Sequence, residues 1–155
     1  MIDADQLHEL ICDEGVTVAV AESLTGGAVT ARLVAVPGSG EWLRGGVVAY
    51  DAEVKFSVLG VERGCVVTKS CAEQMALGVV RTLDAEVAVS TTGVAGPESL
   101  EGREVGTVLV AVADRGRCTV EEHHFDGSPH EVREQAVNAA LEALASTLRR
   151  RSAHR

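Results

Sequence analysis

Apolar and polar positions along this chain fall into short segments whose repeat switches between that of a helix and that of a strand. Residues Asp5 to Asp13 carry Leu7, Leu10 and Ile11 at helical spacing and stop before Gly15, which predicts a short amphipathic helix. Thr17 to Ala21 is a brief apolar run bounded by polar residues, the pattern of a strand covered on both faces. A second helix is expected from Gly26 to Val36, stopped by the turn chemistry of Pro37-Gly38-Ser39-Gly40. Gly45 to Tyr50 reads as a strand, and Asp51 to Leu59 as a helix through Val54, Val58 and Leu59, closed by Gly60. Thr68 is placed to cap a helix to Leu83, whose face carries Cys71, Met75, Val79 and Leu83. Val87 to Thr91 is another buried strand. Val105 to Ala113 and Cys118 to Phe125 flank Asp114-Arg115-Gly116-Arg117 as an antiparallel hairpin. Ser128-Pro129-His130-Glu131 has the form of a capping box, and it opens a long helix striped by Val132, Ala136, Val137, Ala140, Leu141, Leu144 and Leu148.

Strands alternating with helices and one terminal hairpin imply an α/β fold: a three-layer α/β/α sandwich with a mostly parallel sheet and a C-terminal antiparallel hairpin. With 155 residues, 46% of them hydrophobic, the chain is expected to form one domain over residues 1–150, followed by a basic tail, 151–155, that offsets a helix dipole and frays. The net charge of -9 and an aromatic content of 3% argue against nucleic acid as a partner, because such binders concentrate cations on one face and expose aromatic platforms. No run of eighteen apolar residues is present and the chain starts acidic, so no membrane partner and a cytoplasmic location are expected. Cys12, Cys65, Cys71 and Cys118 form no CxxC pair and have no histidine at metal spacing, so reduced, mostly buried thiols and no metal are expected.

Ligands of open α/β sheets bind beyond the carboxyl ends of the strands. Three segments follow predicted strands in this way: Glu22 to Gly27, Tyr50 to Lys55 and Thr91 to Pro97. Ser23 precedes Thr25-Gly26-Gly27, where glycines let backbone N–H groups approach an oxyanion or phosphate; equally, Ser23 or Thr25 caps the next helix. Lys55 is one of two lysines and Tyr50 the only tyrosine. A buried lysine of lowered pKa activates a serine as general base, whereas an i,i+4 surface pair with Asp51 is the plain alternative. Thr92-Gly93 and Gly96-Pro97 fit a ligand-facing turn or ordinary loop punctuation. Arg133, near a helix start where a cation opposes the dipole, either pairs with an anion or is a solvated charge. His123 and His124 alternate along a strand, which sends them to opposite faces.

Taken together, Ala21-Glu22-Ser23-Leu24-Thr25-Gly26-Gly27, Gly45-Gly46-Val47-Val48-Ala49-Tyr50, Lys55 with Leu59-Gly60-Val61, and Thr92-Gly93-Val94-Ala95-Gly96-Pro97 with Val105-Gly106-Thr107-Val108 resemble the CinA C-terminal domain family. Arg133, Gln135-Ala136 and Ala139-Ala140-Leu141 extend the similarity across nearly the whole chain. The resemblance implies an amidase that deamidates nicotinamide mononucleotide, in pyridine nucleotide salvage, with no cofactor or metal. It implies Ser23 as nucleophile, Lys55 as base and Tyr50 as a hydroxyl that relays or orients the proton. It also implies a substrate-binding set of Thr25, Gly26, Gly27, Gly46, Thr92, Gly93 and Arg133, and a homo-oligomer, a dimer or larger. Many members carry a large N-terminal domain without counterpart in this sequence, so its activity is not expected here. Leu24 stands where the family usually has cysteine, Asp51-Ala52 replaces Ser-Asn, and Glu98 to Gly102 replaces a glycine-rich extension with a more acidic lip. Those departures motivate a second reading, a pyridine-nucleotide-binding or regulatory module that has lost turnover.

Overall fold

The computed structural model describes residues 1–155. Helix α1 (Ala4–Glu14) is capped by Asp3, whose carboxylate accepts from Gln6 N–H at 2.8 Å. Strand β1 (Val18–Glu22) leads through a turn to α2 (Ala28–Val34), and a short 3-10 turn at Ser39–Glu41 precedes β2 (Leu43–Val48). Helices α3 (Ala52–Leu59) and α4 (Lys69–Leu83) follow, the second capped by Thr68. Then come β3 (Val87–Gly93), β4 (Thr107–Asp114), β5 (Arg117–His124) and α5 (Pro129–Ala153). The Ser128–Glu131 capping box closes in both directions, satisfying two N–H groups at the start of α5.

The five strands lie in the order β2-β1-β3-β4-β5. β1 pairs in parallel with β2 and β3, and β3–β4 and β4–β5 are antiparallel, so the sheet is parallel only over its first three strands. The two faces are sorted by side-chain size with a period of two. Val18, Val20, Val87, Val89, Val108, Val110 and Val112 face α1, α2 and α5 in one core. Ala19, Ala21 and Ala88, with Ala111 and Ala113, face α3 and α4 in the other, where small side chains let those helices approach closely. The same closeness recurs between helices: a Cβ on Gly78 of α4 would stand 2.1 Å from the carbonyl oxygen of Leu59 in α3.

Several boundaries differ from the sequence pattern. The helix expected over Gly26–Val36 is only Ala28–Val34, because Ser23 to Gly27 folds as a turn. β2 starts two residues earlier than expected and stops at Val48, leaving Ala49 and Tyr50 outside it. Val105 and Gly106 are outside β4, and Phe125 outside β5. Residues 151–153 continue α5, and Arg151 is held by ion pairs to Glu14 and Asp114, so this stretch does not fray. Of the four thiols, Cys71 alone is fully buried, while Cys12 and Cys65 are exposed. His123 and His124 stand beside Glu121 and Glu122.

Helix α2, after β1, packs on the first face and α3, after β2, on the second. Neighbouring β1 and β2 therefore send their exit loops to opposite sides of the sheet, which opens a crevice beyond their carboxyl ends.

Candidate active site

The residues after β1 and β2 meet in that crevice. Ser23 directly follows β1, with its N–H donated to the Thr91 carbonyl at 3.1 Å. Lys55, one turn into α3, has a side chain 1% exposed and donates through Nζ to Ser23 Oγ at 2.9 Å, to the Ala49 carbonyl at 2.8 Å and to the Tyr50 carbonyl at 3.1 Å. These three acceptors match the three donors of an ammonium. Burial pushes the Lys55 ammonium below the ordinary lysine value, against a partial upward pull from Cys71, Asp51 and Glu101. The surface pair of Asp51 with Lys55 does not form, since the Asp51 side chain instead caps α3 by accepting from Glu53 N–H.

Neither Ser23 nor Thr25 caps α2. The N-cap position belongs to Gly27, which makes no side-chain cap bond. The α2 amides are satisfied by Glu22, a fully buried carboxylate at the end of β1. Its Oε1 accepts from Thr25 Oγ1 at 2.6 Å and Val29 N–H at 2.9 Å, and its Oε2 from Thr30 N–H at 2.9 Å and Thr30 Oγ1 at 2.7 Å. A negative charge at a helix N-terminus is favourable on dipole grounds as well. Thr25 Oγ1 also meets Thr91 Oγ1 at 2.8 Å, so β1, β3 and α2 are tied together directly behind Ser23. The backbone N–H groups of Leu24 and Thr25 donate to no acceptor of the chain, whereas the Gly26 N–H returns to the Ser23 carbonyl.

The crevice encloses a cavity of about 430 Å³ lined by Ser23, Leu24, Tyr50, Lys55, Thr92, Gly93 and Arg133, with the 94–100 segment as its outer wall. Tyr50 is 72% exposed at the rim, and its carbonyl rather than its hydroxyl touches Lys55. Arg133 lines the cavity and donates through Nε to the Leu24 carbonyl at 3.2 Å. Thr92 lines the cavity with its hydroxyl bound to the Val66 carbonyl at 2.8 Å. Gly93 admits β4: a Cβ there would lie 2.4 Å from the Thr107 carbonyl oxygen. Thr25, Gly26, Gly27 and Gly46 are outside the cavity lining. Gly46 packs on α2 instead, where a Cβ would sit 2.1 Å from Thr30 Oγ1.

Two contributors were not singled out by sequence reasoning. Glu22 carries a readable signal, a charged residue continuing an apolar strand run, which is uncommon unless it is paired. Glu101 has no local signal. From the lip it reaches back to accept from Val66 N–H at 2.9 Å and Val67 N–H at 2.7 Å, across more than thirty residues of chain. Of the two lip carboxylates only Glu98 lines the cavity. No group of three or more His, Cys, Asp or Glu side chains is placed to hold a metal ion, and no helix is long and apolar enough to cross a membrane.

Fold and site define an α/β domain in which a buried serine–lysine pair sits at the switch point of a partly parallel sheet. The chain belongs to the CinA C-terminal domain family, whose model matches residues 3–148. Over 138 residues, 86% of this chain and 34% of the relative, it is 42% identical to a protein of Desulforamulus reducens named as competence-damage inducible. It is 39% identical over 140 residues to a CinA-like protein of Frankia casuarinae, covering 87% of this chain and 32% of that one. The chain thus spans about a third of the length of these curated relatives. Among solved structures, a CinA superfamily protein of Klebsiella pneumoniae superposes with a TM-score of 0.91 at 31% identity, covering 95% of this chain and 96% of that one. The competence/damage inducible protein CihA of Agrobacterium tumefaciens superposes with a TM-score of 0.84 at 32% identity, covering 92% and 93%.

Proposed function

We propose that this domain is an amidohydrolase that converts nicotinamide mononucleotide and water to nicotinic acid mononucleotide and ammonia through an acyl intermediate on Ser23. The observation that supports this reading is the contact of Lys55 Nζ with Ser23 Oγ at 2.9 Å in the wall of a ligand-sized cavity. When Lys55 is neutral, its two N–H bonds go to the carbonyls of Ala49 and Tyr50 and its lone pair faces the Ser23 hydroxyl. That amine takes the hydroxyl proton as Oγ attacks the carboxamide carbon, and then returns a proton to the departing ammonia. The N–H of Leu24, which lines the cavity and has no acceptor in the chain, is the candidate to hold the oxyanion. Water then attacks the acyl carbon, with Lys55 again as base, and releases the acid.

In this reading the terminal amino groups of Arg133 pair with the substrate phosphate, and the exposed Tyr50 ring covers the nicotinamide at the rim instead of relaying a proton. The same reading places the domain in the cytoplasm as a homo-oligomer. Ammonia release from nicotinamide mononucleotide should be abolished in Ser23→Ala and Lys55→Met; undiminished turnover in Ser23→Ala would discard the mechanism. A second reading is favoured by Glu98, whose place in the lining is unfavourable for an anionic substrate. It takes the cavity as a nucleotide-binding module without turnover, and calorimetric binding with no ammonia release would select it.

A further inference from the structure

At the opposite end of the sheet from Ser23, a second cavity of about 480 Å³ opens between the β4–β5 turn and the last turns of α5. β4 runs from beside Gly93 of the first site to Asp114 at this one, and from Thr107 to Asp114 it spans roughly 23 Å by strand rise. The chain has 14 Lys and Arg against 23 Asp and Glu. Even so, Arg115, Arg117, Arg150 and Arg151 line this one cavity with His154, and Asp114 is its only carboxylate.

The pairing of those groups is uneven. Asp114 is taken by Arg151, which also donates through Nε to Glu14 at 3.2 Å. Arg150 reaches only the Thr147 hydroxyl, at 3.0 Å. Arg115 and Arg117 are exposed and enter none of the chain's ion pairs. His154 donates through Nδ1 to the Arg150 carbonyl at 2.6 Å, which leaves Nε2 as its open nitrogen. Three guanidinium groups without carboxylate partners therefore converge from the turn, from β5 and from α5. Arg115 is held there at φ 54 beside Gly116 at φ 74, in a two-residue hairpin turn whose first position ordinarily favours glycine or asparagine.

Guanidinium forks match phosphate oxygens in bidentate geometry, and one monovalent anion cannot satisfy three of them. A cavity of this volume suits a small molecule. The geometry points to a second, anion-binding site here for a small ligand bearing a chain of phosphates, whether free or attached to a nucleoside. This site does not depend on the chemistry at Ser23.

The test is calorimetry on the full chain with inorganic tripolyphosphate and, separately, ATP, in the wild type, Arg115→Ala/Arg117→Ala and Ser23→Ala. Saturable binding is expected that weakens with added salt, falls about tenfold or more in the double arginine variant, and is unchanged in Ser23→Ala. Equal affinities for the two ligands assign recognition to the phosphate chain alone, and tighter ATP binding adds the nucleoside. Both substituted side chains are exposed, one on the turn and one at the first residue of β5, and Arg150→Ala probes the facing wall independently. Absence of saturable binding by either ligand overturns the proposal. So does binding that survives both arginine variants or is displaced by nicotinamide mononucleotide.

Discussion

Glu22→Gln separates the scaffold behind Ser23 from the chemistry in front of it. The carboxylate accepts four hydrogen bonds, two on each oxygen, and donates none. Glutamine supplies one oxygen and one NH₂ in the same space. Oriented to keep Thr25 and Val29, it sets its NH₂ against the Thr30 N–H, donor against donor, and the Thr30 hydroxyl must turn round to accept. A buried N–H left without an acceptor costs about 1–3 kcal/mol, and each surviving bond drops from charge-assisted to neutral strength, roughly 1 kcal/mol apiece. Removing a buried charge returns part of this, so the net loss should be about 2–4 kcal/mol. In a domain of this size that corresponds to a fall in melting temperature of roughly 5–15 °C. Urea denaturation should show a lower midpoint at unchanged slope, and turnover should fall because the turn carrying Ser23 loses its anchor. Glu22→Ala should be worse, since every donor then loses its partner. A Glu22→Gln protein within about 0.5 kcal/mol of the wild type would refute the claim that this carboxylate organises the turn.

If Lys55 is the base, kcat/KM rises with pH, because only the neutral amine accepts the serine proton. Burial holds its pKa below the ordinary 10.5, so the rising limb should lie below that value, and a limb at or above it contradicts the assignment. Arg133→Met should raise KM for the mononucleotide roughly tenfold or more while affecting the dephosphorylated nucleoside much less; equal losses on both would remove the phosphate from Arg133. Gly93→Ala places a Cβ 2.4 Å from the Thr107 carbonyl oxygen and 2.9 Å from Val108 Cα, and a loss of about 1–3 kcal/mol in chemical denaturation is expected. Native protein should show fast labelling of Cys12 and Cys65 only, with Cys71 and Cys118, whose thiols burial pushes up to about 11, reacting slowly; four equally fast thiols would contradict the packing.

The alternation of valine and alanine in Val18-Ala19-Val20-Ala21 and Val110-Ala111-Val112-Ala113 already states which face of each strand meets a large neighbour and which a close one. The stripe and capping box of α5 were equally readable, because both depend on residues within a few positions of one another. The length of α2 was not. Helical spacing continues back through Gly26, but Glu22 draws the amides of Val29 and Thr30 to itself and lets the turn end where it does. For the site, segment order at strand ends anticipated that Ser23 and Lys55 lie in one crevice, where their side chains meet, while their roles were implied by the resemblance. The contact of Tyr50 with Lys55 was not legible from residue type, since it runs through the Tyr50 carbonyl. Gly46 showed why a glycine within a matching motif need not face a ligand: it makes room for Thr30. Glu101 was beyond local reasoning, because nothing within its own segment indicates an amide pair on the far wall.

That distant carboxylate has a consequence for how the family can diversify. Ser23 and Lys55 hang on β1 and α3, while the lip hangs on Val66 and Val67 through Glu101 alone among its side chains. If Ser23 and Lys55 carry the reaction and the lip selects the guest, the two have separate moorings, and with the Glu101 tether kept the lip can be rewritten while the pair beneath it keeps its own contacts.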